Sequence, residues 1–475
     1  MGELQKPNGA YSATRTKRKT LISSAADFCT RENINPQRDA AVPKFHVRVK
    51  LHKSPSGFRF VAGSATAPTK PISTWLTRVF NVLMVEADGL WKDTTKNIRE
   101  PNDPEGSWMI KNTMPVRALT DRLNKTRGVK RGEAHLATYD FTTMYTTISL
   151  RDLIHRVSAL VEEIFERKTR ISRMRYLVVR TDGQHTWINR LSSQPKGSLT
   201  FNAERIQRFL ARLVTDTHVE FAGKVWKQKV GIPMGTPCAG QLANLYCFTY
   251  ELRFMRALIR QKQDSLAKQF LNVRRYIDDL LVINIPEFEQ YMYLPASRGK
   301  YRSVPNNSSA MGLYPREILT LEKADSGTTV PYMDALIRQN TKRGLIVSIY
   351  DKRLDAKYAD INVIRYPDAD SVLARKCKTG IITSQLHRFA RLCSLTPDFT
   401  YNTALVLHRM LRKGYPEPTL WQKVRSFLVA QPHPLKGVST AEWMKRVKKQ
   451  LGALKEGLIS PGPHGPIRVR NHTRF

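Results

Sequence analysis

The chain has 475 residues, of which 41% are hydrophobic, so it is long enough for several structural units and too apolar to be disordered throughout. Its 78 Lys and Arg residues outnumber 40 Asp and Glu residues, which gives a formal net charge of +38. A surplus this large favours a polyanionic partner; nucleic acid is preferred over a membrane, because no segment approaches the roughly 20 apolar residues of a membrane span.

The cysteines and the N-terminus bear on the compartment. The 5 cysteines form no CxxC pair, which argues against a zinc ribbon or a disulfide framework and fits a reducing environment. No apolar core follows the initiating residues, so we expect no secretory signal. The basic run Arg15–Lys19 is interpreted either as a nuclear localisation patch or as a nucleic-acid-binding arm. Of nucleus and cytoplasm, the nucleus is favoured.

The N-terminal part is predicted to contain an extension, a hairpin and a helix. Residues 1–44 are polar and basic, and we expect a partly disordered extension. Apolar and polar residues alternate over 45–51, and a second strand pattern covers 58–62 after a Ser-Pro-Ser-Gly turn, which predicts a basic β-hairpin. A helix is expected over 72–85, whereas 91–132 is polar and interrupted by Pro and Gly.

Strands and helices are mixed in the rest of the chain. In chain order the patterns predict a strand over 135–141, a helix over 150–167, a loop or small hairpin over 180–200, a helix over 204–217, a hairpin turn at 221–226, a helix over 238–259, two strands around 278–279, loops over 290–330, strands near 331–338 and 344–350, helices over 380–455 with a break at 414–416, and a Pro/Gly tail. Because strands and helices do not strictly alternate, we expect the α+β class.

Two adjacent acids carry the strongest chemical signal. Asp278 and Asp279 lie on a tight turn between apolar strands, and ionised carboxylates side by side repel unless cations lie between them. Two divalent metals about 4 Å apart are the solution that polymerases use. The alternative is a solvated turn, since Asp favours turns. Tyr276 and the apolar run after the acids favour the metal site.

Asp140 supplies the third carboxylate that a two-metal site needs. It ends the strand 135–141 before a turn into a helix, where its side chain and the backbone carbonyl of Phe141 offer the oxygen ligands that Mg²⁺ accepts. An aspartate that caps a helix or a turn is the alternative interpretation. Only the combination with Asp278 and Asp279 outweighs it.

Two further segments suit a nucleotide. Two glycines and two prolines in 231–237 let the backbone approach a ligand before a helix N-terminus that favours phosphate, although a plain loop-to-helix entry looks the same. Lys50, Lys53 and Arg59 on the predicted hairpin suit the triphosphate of an incoming nucleotide. The alternative is a solvated basic edge strand.

Taken in this order, the motifs resemble those of reverse transcriptases. The segment 276–279 resembles the YxDD motif, Asp140 with Tyr145 resembles the first catalytic motif, and 231–237 is similar to the second. The closer similarity, over roughly residues 45–420, is to the reverse transcriptases of Penelope-like retroelements, relatives of telomerase. Residues 140–148 follow DFxxxYTxI of that family, and residues 234–245 follow MGTxxAxxxANL.

The resemblance implies a right-hand polymerase with an antiparallel palm sheet. Its parts would be a basic extension at 1–44, fingers at 45–135, a palm with fingers insertions at 136–355, an α-helical thumb at 356–460 and a tail at 461–475. The family often carries a C-terminal GIY-YIG endonuclease, and the residues after 420 do not resemble one. We therefore expect an endonuclease-lacking member, or a domesticated or truncated copy, that extends a pre-existing 3′ end.

The implied activity is that of an RNA-directed DNA polymerase of a retroelement. It would extend a DNA primer or an RNA/DNA hybrid on an RNA template from dNTPs, with two Mg²⁺ ions that Mn²⁺ can replace and with no membrane partner. The residues that the resemblance assigns are the metal-binding acids Asp140, Asp278 and Asp279 with the Phe141 carbonyl, the triphosphate-binding Lys50, Lys53 and Arg59, the sugar gate Tyr145 that rejects a 2′-hydroxyl, Met234 and Gly235 at the nucleotide pocket, and Gln385, His387, Arg388 and Arg391 on a helix that grips the duplex.

Two other functions remain open at this stage. An RNA-dependent RNA polymerase also has an aspartate in its first motif and paired aspartates in its third, but Tyr145 and Tyr276 stand where those enzymes usually have a small or polar residue and a glycine. A domesticated polymerase fold that only binds RNA or a protein is the third hypothesis. Met234, where many reverse transcriptases have Gln, leaves the template–nucleotide contacts at that position in doubt.

Overall fold

The computed structural model describes most of the chain. The described residues are 9–50, 57–125, 134–142, 144–191, 195–232, 235–295, 310–355, 365–431, 435, 437–462 and 465–468. No helix in these ranges combines the length and the apolar character that crossing a bilayer requires.

The described helices agree with the α+β expectation. In chain order they are α1 (Arg18–Arg31), α2 (Lys70–Thr95), α3 (Met114–Lys125), α4 (Met144–Thr147), α5 (Leu150–Ser172), α6 (Ala203–Thr215), α7 (Ala239–Arg260), α8 (Asp264–Phe270), α9 (Arg375–Leu392), α10 (Thr396–Leu411), α11 (Glu417–Ala430) and α12 (Thr440–Lys455), with 3₁₀ turns at Phe288–Tyr291 and Lys352–Leu354.

The strands are short and, where their register is known, antiparallel. They are β1 (Tyr11–Ala13), β2 (Phe45–Lys50), β3 (Gly57–Ala62), β4 (Leu136–Phe141), β5 (Tyr176–Arg180), β6 (His185–Ile188), β7 (Ser198–Phe201), β8 (His218–Phe221), β9 (Lys224–Gln228), β10 (Arg274–Tyr276), β11 (Asp279–Ile283), β12 (Leu321–Gly327), β13 (Thr329–Tyr332), β14 (Ala335–Asn340), β15 (Gly344–Ile349), β16 (Ile459–Gly462) and β17 (Gly465–Arg468). The sheet orders are β1-β9-β8, β2-β3, β6-β5-β7, β10-β11-β4-β12, β13-β14-β15 and β16-β17.

Most predicted elements are confirmed, and their ends are where the predictions err most. The basic hairpin is confirmed as β2–β3, with Phe45 opposite Ala62. The helix expected over 72–85 runs on to Thr95, and α3 lies in a stretch that was predicted to lack a long element. The strands expected near 331–338 are confirmed as β13 and β14, and Met333, with a positive φ of 55°, turns the chain between them.

The N-terminal extension is folded from residue 9 onward, which corrects the expectation of partial disorder there. β1 pairs with β9, so that Tyr11 lies opposite Gln228, and the Tyr11 ring contacts Phe45 edge-on at 5.1 Å between centroids. In α1, Leu21 and two residues at helical spacing are buried. These partners lie far away in the sequence, so local patterning does not reveal them. The Pro/Gly tail likewise contains a hairpin, β16–β17.

The chain forms two compact units. Unit 1 comprises Met1–Ile110, Tyr139–Asp278 and Ile285–Glu322, and unit 2 comprises Lys111–Thr138, Asp279–Asn284 and Lys323–Phe475. In unit 1 the long helix α7 is buried along most of its length and packs against α2 and α5. Helices α5 and α6 begin at side-chain caps, since Ser149 and Asn202 accept hydrogen bonds from backbone N–H groups of the first turn.

Unit 2 combines a three-stranded sheet with helices. Strand β14 lies between β13 and β15, and α3, α9 and α10 pack on β15. The Asn124 side chain makes two hydrogen bonds to the backbone of Leu345, both at 2.7 Å, which fix α3 on the edge strand β15. Helix α10 packs against α12, where Phe399 stacks on Trp443 at 5.0 Å between ring centroids. The helical periodicity expected over 380–455 is therefore confirmed.

Candidate active site

Strand β4 presents Asp140 at its end. Its first four residues are buried, Asp140 is exposed, and Phe141 is buried again. The Phe141 ring lies edge-on to Tyr314 at 5.0 Å between centroids. The alternation at the end of the strand turns the Asp140 carboxylate out of the core while its neighbour anchors the backbone.

The paired acids lie on the turn that follows β10. The backbone N–H of Phe141 donates a hydrogen bond of 3.1 Å to the carbonyl of Asp278, which brings the end of β4 next to this turn. Asp278 is half-buried. Asp279 is the first residue of β11, and its carbonyl accepts a hydrogen bond of 3.2 Å from the Tyr332 hydroxyl.

Ile277 gives the turn its shape. Its φ is 55°, in the left-handed region, which is an outlier for a β-branched residue. Conformations of this kind cost about 1–3 kcal/mol and occur where surrounding contacts hold them, often at functional sites. The strain was not foreseeable from the sequence, since the motif alone does not indicate a positive φ at Ile277.

The acids fit a hard cation by their chemistry. In the part of the chain that the structure describes, no group of three or more His, Cys, Asp or Glu residues is arranged to hold a metal ion. Mg²⁺ is commonly held by one or two carboxylates, with substrate phosphates and water completing the shell. The hydrogen bond from the Phe141 amide to the Asp278 carbonyl brings Asp140 and Asp278 next to each other. The two residues therefore offer such a carboxylate pair.

Tyr145 lies near Asp278, and backbone contacts join its segment to Gly231 and Ile232. Its side chain is half-buried on α4, and burial, followed by the nearby Asp278 carboxylate, raises the pKa of Tyr145 well above its usual value. Its carbonyl accepts a hydrogen bond of 2.9 Å from Ile232, and the Gly231 N–H donates one of 2.7 Å to Ile148. The two motifs that the sequence singled out are therefore in direct contact.

Gly231 and Gly235 are required where the chain passes close to other backbone. Gly231 has a φ of 90°, and a Cβ there would run into the Tyr145 carbonyl. Gly235 has a φ of 101°, and a Cβ there would collide with the carbonyl of Ala62 at the end of the hairpin β2–β3. The Ser64 hydroxyl donates a hydrogen bond to the Gly235 carbonyl. The end of the basic hairpin thus meets the predicted nucleotide loop.

Four predicted nucleotide-binding positions receive no structural account. Lys53 and Met234 lie outside the described residues. The backbones of Lys50 and Arg59 belong to β2 and β3, but their side chains also lie outside what the structure describes. Their roles stay predictions from the sequence.

A buried network beneath the acids was missed by sequence reasoning. Arg275 is fully buried and forms an ion pair with Glu251. It also donates to the side chain of Asn244 at 2.7 Å and to the Ile277 carbonyl at 3.0 Å, and Tyr314 donates to Glu251 at 2.8 Å. Burial opposes the charge on Arg275, but its neighbours, Glu251 first among them, together more than compensate and raise the pKa of Arg275. The hydrogen bond from Arg275 to the Ile277 carbonyl connects this network to the strained turn.

The sequence carries no clear signal for this network, because Arg275 follows another arginine, Arg274, in the short strand β10. A cation that is buried needs a partner, because burying an unpaired charge is costly. The sequence does not say that Glu251, 24 residues earlier, is that partner.

The four residues predicted to grip nucleic acid lie on α9 in different surroundings. Arg388 forms an ion pair of 2.7 Å with Asp334 and donates to Gln385 at 3.3 Å. The His387 ring lies edge-on to Phe427 at 4.9 Å between centroids. Arg391 is exposed. A groove along this helix also includes Thr113, whose hydroxyl donates to Asp334 at 2.7 Å.

Comparison with known proteins gives a likeness of fold. No protein-family model matches the chain, and no curated protein matches it. A structure of telomerase from Candida albicans in complex with a TWJ fragment of telomeric RNA is similar with a TM-score of 0.52 and 13% identity, over 93% of this chain and 70% of that one. The fold is therefore telomerase-like, with mixed helices and antiparallel sheets.

Two telomerase structures from Candida tropicalis are more distant. The apo form has a TM-score of 0.38 at 10% identity, over 92% of this chain and 66% of that one. The complex with a TWJ fragment of telomeric RNA has a TM-score of 0.39 at 12% identity, over 92% of this chain and 58% of that one.

Proposed function

We propose that the chain is an RNA-directed DNA polymerase that adds nucleotides to a primer 3′ end by two-metal chemistry. The observation that carries the proposal is the placement of Asp140 beside Asp278 through the Phe141 amide. The telomerase-like fold supports an RNA template, and the net charge of +38 supports a polyanionic duplex as the ligand.

The acids would hold the metal ions, and the rest of the site would position the substrates. Asp140, Asp278 and Asp279 are the proposed ligands, together with the Phe141 carbonyl. When bound, two Mg²⁺ ions would supply the activation of the 3′-hydroxyl and the stabilisation of the leaving pyrophosphate. The Arg275 network would keep the acids in place by fixing the Ile277 carbonyl.

Tyr145 is the proposed sugar gate. Its backbone is fixed by Ile232 and its ring stands near Asp278, where the sugar of an incoming nucleotide would lie if the acids bind its metal. A rigid aromatic at that position excludes a 2′-hydroxyl by its bulk. Lys50, Lys53 and Arg59 are proposed to hold the triphosphate, and Met234 and Gly235 to line the nucleotide pocket.

The architecture, origin, location and nucleic-acid contacts of the chain are also proposed. We propose fingers, palm and thumb parts, membership of the Penelope-like retroelement group, and a nuclear location. Arg391 with Gln385, His387 and Arg388 would contact the backbone of the template–primer duplex. These assignments are supported by the motifs of the sequence.

Primer extension by the full chain tests the activity. We expect incorporation of dTTP on poly(A)/oligo(dT) with Mg²⁺ or Mn²⁺, slower incorporation on poly(dA)/oligo(dT), and none after chelation. A chain that binds both duplexes but incorporates nothing on either would show a polymerase fold that only binds nucleic acid. Preferential use of ribonucleotides would instead indicate an RNA polymerase.

A further inference from the structure

A small polar cavity lies in unit 2, lined by residues of α10, of the segment after β15 and of the C-terminal hairpin. Its volume is about 30 Å³, and its polar lining includes Asp351, Arg365, Tyr366, Tyr401 and Arg409. That volume accommodates roughly two water molecules or one small ion. None of these residues is among the predicted site residues.

The Asp351 carboxylate, which lines the cavity, has more cationic partners than it can neutralise. Asp351 forms ion pairs with Arg353 at 2.9 Å, with Arg409 at 3.0 Å and with Arg365. Burial opposes the ionisation of Asp351, but the arginines, Arg365 first, hold its pKa below the usual value. Arg365 and Arg409 line the cavity with Asp351, whereas Arg353 does not line it and is about a third exposed. With Arg353 included, three guanidinium groups around the one carboxylate leave two positive charges in excess.

The other acid at the cavity is already neutralised. Asp398 accepts two hydrogen bonds from one nitrogen of Arg338, at 3.0 and 2.9 Å. This pair adds no net charge to the cavity. The excess of two positive charges around Asp351 therefore remains.

Two buried hydroxyl groups line the same cavity. Tyr366 and Tyr401 are only 6% and 7% exposed, and among the described residues neither hydroxyl has a hydrogen-bond partner. Arg365 lies near the first and the Gly462 backbone near the second, yet neither contact meets hydrogen-bond geometry. Burying a hydroxyl without a partner is costly, so both point to a ligand that accepts hydrogen bonds.

We propose that this cavity binds one phosphate group, either free phosphate or the terminal phosphate of a nucleic acid strand. A phosphate dianion would balance the two excess charges, and guanidinium groups match its oxygens in pairs. The two tyrosine hydroxyls would donate to the same oxygens. The volume admits a terminal group and excludes a whole nucleotide.

Calorimetric titration of the full chain with inorganic phosphate, against chloride at equal ionic strength, tests the free ligand. We expect saturable binding of one phosphate. The double variant Tyr366→Phe/Tyr401→Phe should bind roughly tenfold or more weakly, because it loses two hydrogen bonds to a charged group. It should unfold at the same or a higher temperature without phosphate, since it removes only unpartnered hydroxyls.

A second arm compares 5′-phosphorylated and 5′-hydroxyl oligonucleotides of one sequence. Tighter binding of the phosphorylated strand by the wild type and not by the double variant identifies a nucleic acid end as the ligand. Phosphate binding in the first arm alone identifies the free ion. No phosphate effect beyond chloride in either arm, or equal binding by the double variant, overturns the site. Asp278→Ala should bind phosphate like the wild type, so loss of synthesis does not affect this test.

Discussion

At the scale of single residues, the candidate site depends on side chains outside the motifs that predict catalysis. Asp278 and Asp279 follow Ile277, whose positive φ would relax without support. That support comes from Arg275, which reaches the Ile277 carbonyl and is itself neutralised by Glu251. The buried ion pair of Arg275 and Glu251 thus positions the acids through the Ile277 carbonyl.

Replacing Glu251 by Ala should destabilise the chain by about 3–5 kcal/mol, because it leaves Arg275 buried without its partner. Glu163→Ala is the matched control. Glu163 likewise forms an ion pair with an arginine, Arg256 on α7, but both side chains are about a third exposed. That change should cost about 0–1 kcal/mol. Urea denaturation measures both, and equal losses would contradict the supporting role of Glu251.

Replacing Tyr145 by Ala should raise ribonucleotide use by roughly 10- to 100-fold relative to deoxyribonucleotides, because the bulk that excludes the 2′-hydroxyl is removed. Tyr145→Phe keeps the ring and should keep the discrimination. The ratio of kcat/KM for dTTP and UTP reports the effect. An unchanged ratio in the Ala variant would refute the gate.

At the scale of elements, the loop after β9 is locked to the segment that carries Tyr145. Gly231 and Gly183 have nearly equal φ values of 90° and 88°, but only at Gly231 would a Cβ meet other backbone. The two glycines therefore separate the cost of backbone strain from the cost of a collision.

Gly231→Ala should lower nucleotide incorporation at least tenfold by displacing Tyr145, whereas Gly183→Ala should leave it unchanged. Both should lose about 1 kcal/mol or more of stability, because Ala is strained at positive φ. Activity and thermal unfolding of the two variants give the comparison. Equal activities would show that the loop does not position Tyr145.

Local patterning predicted the elements whose signal lies in consecutive residues. The hairpin β2–β3, the helices α5, α6 and α7 and the strand before Asp140 follow from their periodicity. It failed for β1 and α1, whose order depends on β9, and it did not indicate the positive φ at Met333 that separates β13 from β14. The contact of Gly231 with the Tyr145 segment is also long-range, so the sequence indicates both motifs but not that they touch.

At the scale of the whole molecule, the charge favours a polyanionic ligand. The net charge of +38 is spread along a chain whose telomerase-like fold covers 93% of its length. Binding of a duplex by such a protein should release many counterions and weaken steeply with salt. Among the four α9 residues predicted to bind nucleic acid, Arg391 is exposed while Arg388 is paired with Asp334.

Replacing Arg391 by Gln should therefore reduce the slope of log Kd against log salt concentration by about one, because one phosphate contact is lost. The control is Arg180→Gln, a half-exposed arginine on β5 of unit 1, which should leave the slope unchanged. Fluorescence anisotropy with an RNA/DNA hybrid between 50 and 200 mM salt, the range over which such slopes are about linear, measures both. A slope unaffected by Arg391→Gln would remove α9 from the proposed duplex contact.

We propose above all that Asp140 and Asp278 act together in nucleotide transfer. Single-turnover incorporation on poly(A)/oligo(dT), with duplex binding measured in parallel, tests it most directly. Asp140→Asn and Asp278→Asn should each slow incorporation by roughly 10³-fold or more while duplex binding is kept, and Asp182→Asn on the exposed turn after β5 should have no effect. Incorporation by either acid variant at the rate of the wild type would contradict the account.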